Sequence, residues 1–240
     1  MKILLTNDDG IFSPAIPKMA EIFRKYGEVT VIAPKKEQSG KSQTIEFRNP
    51  IEIRQVEYAP GKMGYAVDST PADCVRYGIV GLKEKFDLVV SGMNIGYNLG
   101  DDIAYSGTAG AVLEGARLGV KGLAFSAEYR ALEVGLAHLP ETLEWIFEHA
   151  LPEKNMLYNV NFPPEIKGIR ITKQGGIYYH DEFVPQGNDL YLQVGAPLER
   201  EFNDLSVDID AVLNGYISIT PLTAEKTDFP AFERLKHLQA

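Results

Sequence analysis

Two adjacent carboxylates, Asp8 and Asp9, close the tract Thr6-Asn7-Asp8-Asp9-Gly10 near the start of the chain. Like charges side by side are costly without a counter-charge, and a divalent cation is the simplest one. Oxygen-only neighbours favour a hard ion such as Mg²⁺, Mn²⁺ or Ca²⁺ over zinc. Taken alone the tract reads equally well as a turn, because Asn, Asp and Gly all favour turns. A second polar tract says more. Residues 91–105 (SGMNIGYNLGDDIAY) run straight into Ser106-Gly107-Thr108. Asn94 and Asn98 supply amide groups there, and the glycines let backbone approach a ligand. A loop this long inside a domain is usually a functional one.

The surrounding pattern tells which elements must position these residues. Lys2–Thr6 reads as a strand, 14–26 as a helix and 29–33 as a strand, a first βαβ unit. The alternation resumes with a helix from Pro71, a strand at 87–91, a helix from Thr108, a strand at 123–126 and a helix over 132–149 that contains Trp145. Thr70 reads as the N-cap of the helix at Pro71, with Asp73 completing a capping box. In an open α/β sheet ligands gather beyond the carboxyl ends of the strands, and a helix N-terminus offers unpaired N–H groups to an anion. Ser106, Gly107 and Thr108 stand at such an end. A polar loop, Lys35 to Ser42, also follows the strand at 29–33. In a parallel sheet Asp8, Asp9, Ser39 and Asn94 therefore reach the same edge, although nothing local marks Ser39 as a ligand.

These tracts occur together in one family. The chain resembles the SurE (survival protein E) family of divalent-metal-dependent nucleoside monophosphate phosphatases. The resemblance rests on Ile3-Leu-Leu-Thr-Asn-Asp-Asp-Gly10, Val31-Ile-Ala-Pro34 followed by Ser39, Thr70-Pro-Ala-Asp-Cys-Val75 and Ser91-Gly-Met-Asn-Ile-Gly96. It continues through Asn98, Gly100, Asp102, Tyr105-Ser-Gly-Thr108, Glu114-Gly-Ala116, Asn159-Val-Asn161-Phe-Pro and Gly215-Tyr-Ile-Ser-Ile-Thr-Pro221. Ser69 stands where the family usually has Gly, and Ala109 where Val is common. What the resemblance implies is one divalent metal ion per subunit, Mg²⁺ or Mn²⁺, held by Asp8, Asp9, Ser39 and Asn94. It also implies substrate phosphate near Asn98 and the Ser106-Gly107-Thr108 turn, and a homodimer or homotetramer. The match is weak from Thr223 to Ala240, which is left without a role.

The expected fold is a Rossmann-like, doubly wound, mostly parallel α/β sheet. One domain is expected over 1–240, with 169–240 forming a less regular β-rich and C-terminal extension. Its tyrosines, Tyr178, Tyr179 and Tyr191, belong to a projecting β-hairpin region. Ile45 to Tyr58 alternates apolar and polar residues around Asn49-Pro50, which predicts an exposed antiparallel pair there. The 240 residues, 45% hydrophobic, suffice for a sizeable core. No apolar run is long enough to span a membrane, and Met1-Lys-Ile-Leu-Leu is too short for a signal peptide. A cytoplasmic protein with no membrane partner is expected. The net charge of −9 argues against a nucleic-acid partner, which would need a basic face. The single Cys74 reads as a packed helix thiol rather than a nucleophile.

The histidines at 138, 149, 180 and 237 lie outside the three loops, so a Ser-His-Asp triad has no local support. The chemistry expected is metal-assisted hydrolysis of a nucleoside monophosphate, with Asp8 and Asp9 as the catalytic pair and either one accepting the water's proton. An aspartyl-phosphate on Asp8 is the competing mechanism. A broad phosphomonoesterase or exopolyphosphatase, or a nucleotide-sensing module without catalysis, are the alternatives in function.

Overall fold

Apolar side chains alternate faces along each central strand, and helices cover both faces of the resulting sheet. A computed structural model describes residues 1–198 and 201–238. In chain order its elements begin β1 (Lys2–Thr6), α1 (Ala15–Phe23), β2 (Glu28–Pro34), β3 (Ile53–Ala59), β4 (Lys62–Val67), α2 (Pro71–Arg76) and β5 (Leu88–Ile95). Next come α3 (Gly107–Arg117), β6 (Lys121–Ala127), α4 (Leu132–Glu148), α5 (Leu151–Lys154), β7 (Leu157–Phe162) and β8 (Gly168–Ile171). The chain closes with β9 (Tyr179–Gly187), β10 (Leu190–Pro197), α6 (Asp208–Leu213), β11 (Tyr216–Leu222) and α7 (Phe229–Leu235).

Nine strands form one sheet in the order β3-β4-β2-β1-β5-β6-β7-β11-β8. The run from β4 to β7 is parallel, while β3 against β4 and β11 against β7 are antiparallel. On one face Ile3, Leu5, Val31, Val90, Leu123 and Phe125 pack against Ile16, Met19 and Phe23 of α1 and Leu139, Leu143 and Ile146 of α4. On the other, Leu4, Ile32, Val89 and Ala124 meet Cys74 and Val75 of α2 and Ala111 and Val112 of α3. This two-sided burial is what continuous apolar strands in a parallel sheet require. Phe23, Phe125 and Phe162 are fully buried, each contributing about 2 kcal/mol.

The expected α/β architecture and the helices beginning near 14, 71, 107 and 132 are all present. Thr70 caps α2 by accepting from the Asp73 N–H at 3.2 Å. Asp73 itself turns elsewhere, accepting from the Glu46 N–H at 2.8 Å and Ser69 Oγ at 2.6 Å. Cys74 is wholly buried, and that burial pushes its thiol well above the usual range.

Two expectations about strands are corrected. The antiparallel pair does not turn at Asn49-Pro50. It is β3 against β4, turned at Pro60-Gly61, because Gly61 adopts a φ of 69° that suits a tight turn. Residues 45–52 instead run irregularly past α2. The strand expected at 87–91 continues to Ile95, so Asn94 stands on a strand rather than in a loop. The projecting hairpin is β9 with β10, a two-stranded sheet of its own. No helix among the described residues is long and apolar enough to cross a membrane.

Candidate metal and phosphate site

β1 is flanked by β2 on one side and β5 on the other, and the chain winds outward in both directions from there. That is a topological switch point, where the loops beyond two adjacent strands diverge and leave a crevice. Asp8 and Asp9 leave β1 at that crevice, where the backbone of Ile95 at the end of β5, one residue past Asn94, hydrogen-bonds Asp9. A register shift between Ser91 and Asn94 inserts an extra residue against β6. Such a bulge re-aims the residues that follow it.

Asp8 is 4% exposed. Its carboxylate lies at the N-terminus of α3, where Thr108 Oγ1 donates to Asp8 Oδ1 at 2.5 Å. Burial nevertheless raises its pKa, with the Thr108 hydroxyl opposing the shift. The approach is tight: a Cβ on Gly107 would stand 3.0 Å from Asp8 Cβ and 3.1 Å from its Oδ2, so any side chain there would press the carboxylate aside by a few tenths of an ångström. Ser106 caps α3, its Oγ accepting from the Ala109 N–H at 3.0 Å. Thus the helix end expected to face substrate phosphate already gives Thr108 to Asp8 and the Ser106 hydroxyl to its own helix.

Asp9 is raised as well. Burial first and the charge of Asp8 second push it up to about 7, against a hydrogen bond from the Ile95 backbone. Its Oδ2 is buried with no hydrogen-bond partner. Asn94 donates from Nδ2 to the Gly96 carbonyl at 2.8 Å, which leaves its amide oxygen as the group available to a cation. Ser39 is exposed, and its Oγ donates to Glu37 Oε1 at 2.8 Å. The structure therefore brings together Asp8, Asp9, Gly107 and Thr108, and ties Ser39 to them through its neighbours. The Gln38 N–H donates to the Asp8 carbonyl at 2.7 Å.

Glu37 was not singled out by sequence reasoning, yet its charge raises both Asp8 and Asp9. Nothing in a Lys/Glu/Ser-rich loop distinguishes it, and only the folding of that loop over β1 does. The amides of Asn159 and Asn161 are a second omission. They donate to the Asn98 carbonyl at 2.7 and 3.0 Å, and Asn161 Oδ1 accepts from the Asn98 N–H at 2.9 Å. Asn98 Nδ2 donates in turn to Ser126 Oγ at 2.8 Å. The site loop is thus pinned to β6 and β7 through Asn98. Two amides at alternate positions of an otherwise apolar strand was the available signal.

The donor set suits a hard divalent cation. Two crowded carboxylates lack a counter-charge, one buried oxygen is unpartnered, and every neighbouring donor is oxygen. Among the described residues no three His, Cys, Asp or Glu side chains cluster closely enough to hold an ion by themselves.

Comparison with known proteins places the whole chain in one family. Residues 3–181 match the family model for survival protein SurE. The 5'-nucleotidase SurE of Desulforudis audaxviator (strain MP104C) is 39% identical, covering 98% of this chain and 96% of that protein. That of Thermoanaerobacter sp. (strain X514) is 41% identical, covering 95% and 94%. The crystal structure of the SurE protein from Aquifex aeolicus superposes with a TM-score of 0.84 at 36% identity, over the whole of both chains. The switch-point carboxylates, the glycine-opened helix end and the full-length match lead to one conclusion: the chain belongs to the survival protein SurE family.

Proposed function

We propose that this chain is a divalent-metal-dependent nucleoside monophosphate phosphatase, a 5'-nucleotidase for which 3'-nucleotides are the further substrates to test. The observation that carries the reading is the Asp8–Asp9 pair at the switch point, Asp8 buried and Asp9 half-buried with one carboxyl oxygen enclosed and unpartnered. Relatives named 5'-nucleotidase SurE that match nearly the whole chain support the substrate class.

Asp8, Asp9, Ser39 and Asn94 would hold one Mg²⁺ or Mn²⁺ ion per subunit. When bound, the ion supplies a Lewis acid for the phosphoryl group and lowers the pKa of a coordinated water. Asp8, oriented by Thr108, contributes fixed negative charge to the site. Asp9 keeps an oxygen with no protein partner, which makes it the better placed of the two to take a proton. Backbone N–H groups at Gly107 and Thr108, with Asn98, would face the phosphoryl oxygens and stabilise their charge. A sensing module would gain little from two adjacent carboxylates facing a polyanion, which favours the hydrolase.

Copies of the chain would assemble as a homodimer or homotetramer in the cytoplasm. Phe183, Tyr191 and Leu192 of the β9–β10 hairpin are 68%, 63% and 55% exposed, and α7 has no buried residue.

The test is phosphate release from a panel of 5'- and 3'-nucleoside monophosphates, after chelation and again with Mg²⁺ or Mn²⁺ restored. Release that returns with metal and is absent in Asp9→Asn is the expected result. Binding without turnover under every condition would replace the hydrolase with a sensor.

A further inference from the structure

The loop that carries Ser39 has no regular secondary structure between Lys35 and Asn49, yet its Gln38 N–H is tied to the Asp8 carbonyl at 2.7 Å. Several contacts hold it. Ser42 Oγ donates to the Ala104 carbonyl at 2.7 Å, and the Ser42 N–H to that of Tyr105 at 3.0 Å. Thr70 Oγ1 donates to the Thr44 carbonyl at 2.6 Å. One contact differs in kind from these.

Glu114 lies on α3, two turns beyond the helix end that receives Asp8, and is only 6% exposed. A buried carboxylate is costly unless it is paired and fully hydrogen-bonded. Glu114 meets that requirement with two partners from two different segments. Arg76 of α2 bonds Oε1 at 2.7 Å, and Gln43 Nε2 of the loop donates to Oε2 at 2.8 Å. The same helix therefore touches both halves of the site: Thr108 holds Asp8, and Glu114 holds Gln43. Successive turns, Lys41 N–H to the Gln38 carbonyl and Thr44 N–H to that of Lys41, tie Gln43 to the segment containing Ser39. Beneath them Gly110 lets the loop seat on the helix, since a Cβ there would lie 2.3 Å from the Ser42 carbonyl oxygen.

We propose that Glu114 is a positioning residue for the metal site, acting through Gln43 to fix the Ser39 loop relative to Asp8. Arg76 neutralises the buried carboxylate so that its second oxygen is free to hold the amide. The inference rests on the metal reading given above. Loss of a group hydrogen-bonded directly to a ligand weakens metal affinity by about 10- to 100-fold; Gln43 and Glu114 act one link further out, so the lower end of that range is expected.

The experiment is titration of Mn²⁺ into the metal-stripped full-length protein, with thermal melts of each variant. The variants are Gln43→Ala, Glu114→Gln, their double combination and Asp9→Asn. Gln43→Ala leaves the Arg76–Glu114 pair intact, so it folds even where Glu114→Gln does not. The expected result is that Gln43→Ala and Glu114→Gln each raise the Mn²⁺ Kd about tenfold. The double variant should be no weaker than the worse single one, because both changes cut the same link. The Tm of Gln43→Ala should stay within about 3 °C of the parent, and amide exchange over 38–44 should speed up. Unchanged Mn²⁺ affinity in Gln43→Ala, with binding lost in Asp9→Asn, would overturn the proposal and reduce Glu114 to a clamp between α2 and α3. If Asp9→Asn binds Mn²⁺ as the parent does, the metal reading fails first and this inference falls with it.

Discussion

The parallel centre of the sheet and the β9–β10 hairpin are both ladders of extended chain, but only the first has its faces covered. Strands β1, β2, β5 and β6 bury apolar side chains against α1 and α4 on one side and α2 and α3 on the other. The hairpin pairs Gln193 with Phe183 and Leu192 with Val184 in good register. Phe183 and Tyr191 on one of its faces and Leu192 on the other nevertheless stand exposed. Isolated two-stranded sheets are marginal in water, and these side chains are the surface that the proposed assembly would cover. The contrast is one of burial: helices cover both faces of the centre, while the hairpin leaves large apolar side chains in solvent.

The sharpest way to test the centre is at its carboxylates. Asp9→Asn should lower turnover by about 10²- to 10³-fold, the order expected for one preorganised electrostatic group, with the fold intact by circular dichroism. A loss under threefold would remove Asp9 from the machinery.

Next in size is the pH effect. Asp9 titrates near 7 in the folded, metal-free chain against the ordinary 3.8. The folded state thus holds a proton that the unfolded state has released, so its contribution to stability is full below about pH 4 and is lost as pH rises through 7. Melts of the metal-free protein should fall in Tm over that window, and Asp9→Asn should flatten the fall. Mn²⁺ must displace the same proton, so its affinity should climb about tenfold per pH unit below 7 and level off above. An affinity flat from pH 5 to 8 would contradict this.

Gly110→Ala probes the seat of the loop on α3. Crowding the Ser42 carbonyl should cost about 1–3 kcal/mol, seen as a lower denaturation midpoint together with weaker Mn²⁺ binding. Gains from the better helix former would show instead that the loop moves aside freely.

The smallest effect on chemistry should come from the hairpin. Phe183→Asp with Leu192→Asp places a charge on each face, and sedimentation should then report smaller assemblies. Activity per chain should stay within about twofold, because neither side chain belongs to any of the core clusters that support the sheet and its loops. Equal loss of activity and assembly would mean that the two regions are not separable.

Much of this was legible in the residues. The strand ends at Thr6 and Pro34 and the helix start at Ser106 announce themselves through apolar runs that stop at polar, turn-forming residues. The carboxylate pair is visible as two like charges with no neighbouring cation. The turn between β3 and β4 was misplaced because Asn49-Pro50 and Pro60-Gly61 are both good turn signals, and only pairing with β2 selects between them. Asn94 was read into a loop because a bulge leaves no mark in composition.

The sequence by itself determined a parallel α/β sheet and the chemical types gathered at its carboxyl edge, since both follow from local periodicity and from where polar tracts interrupt it. Only the tertiary structure decided that Thr108 spends its hydroxyl on Asp8, that Asp9 keeps an oxygen unpartnered, that Glu37 adds its charge and that Glu114 grips Gln43. Those facts depend on distances between segments as far apart as 100 residues, and burial sets their energies, which no local pattern encodes.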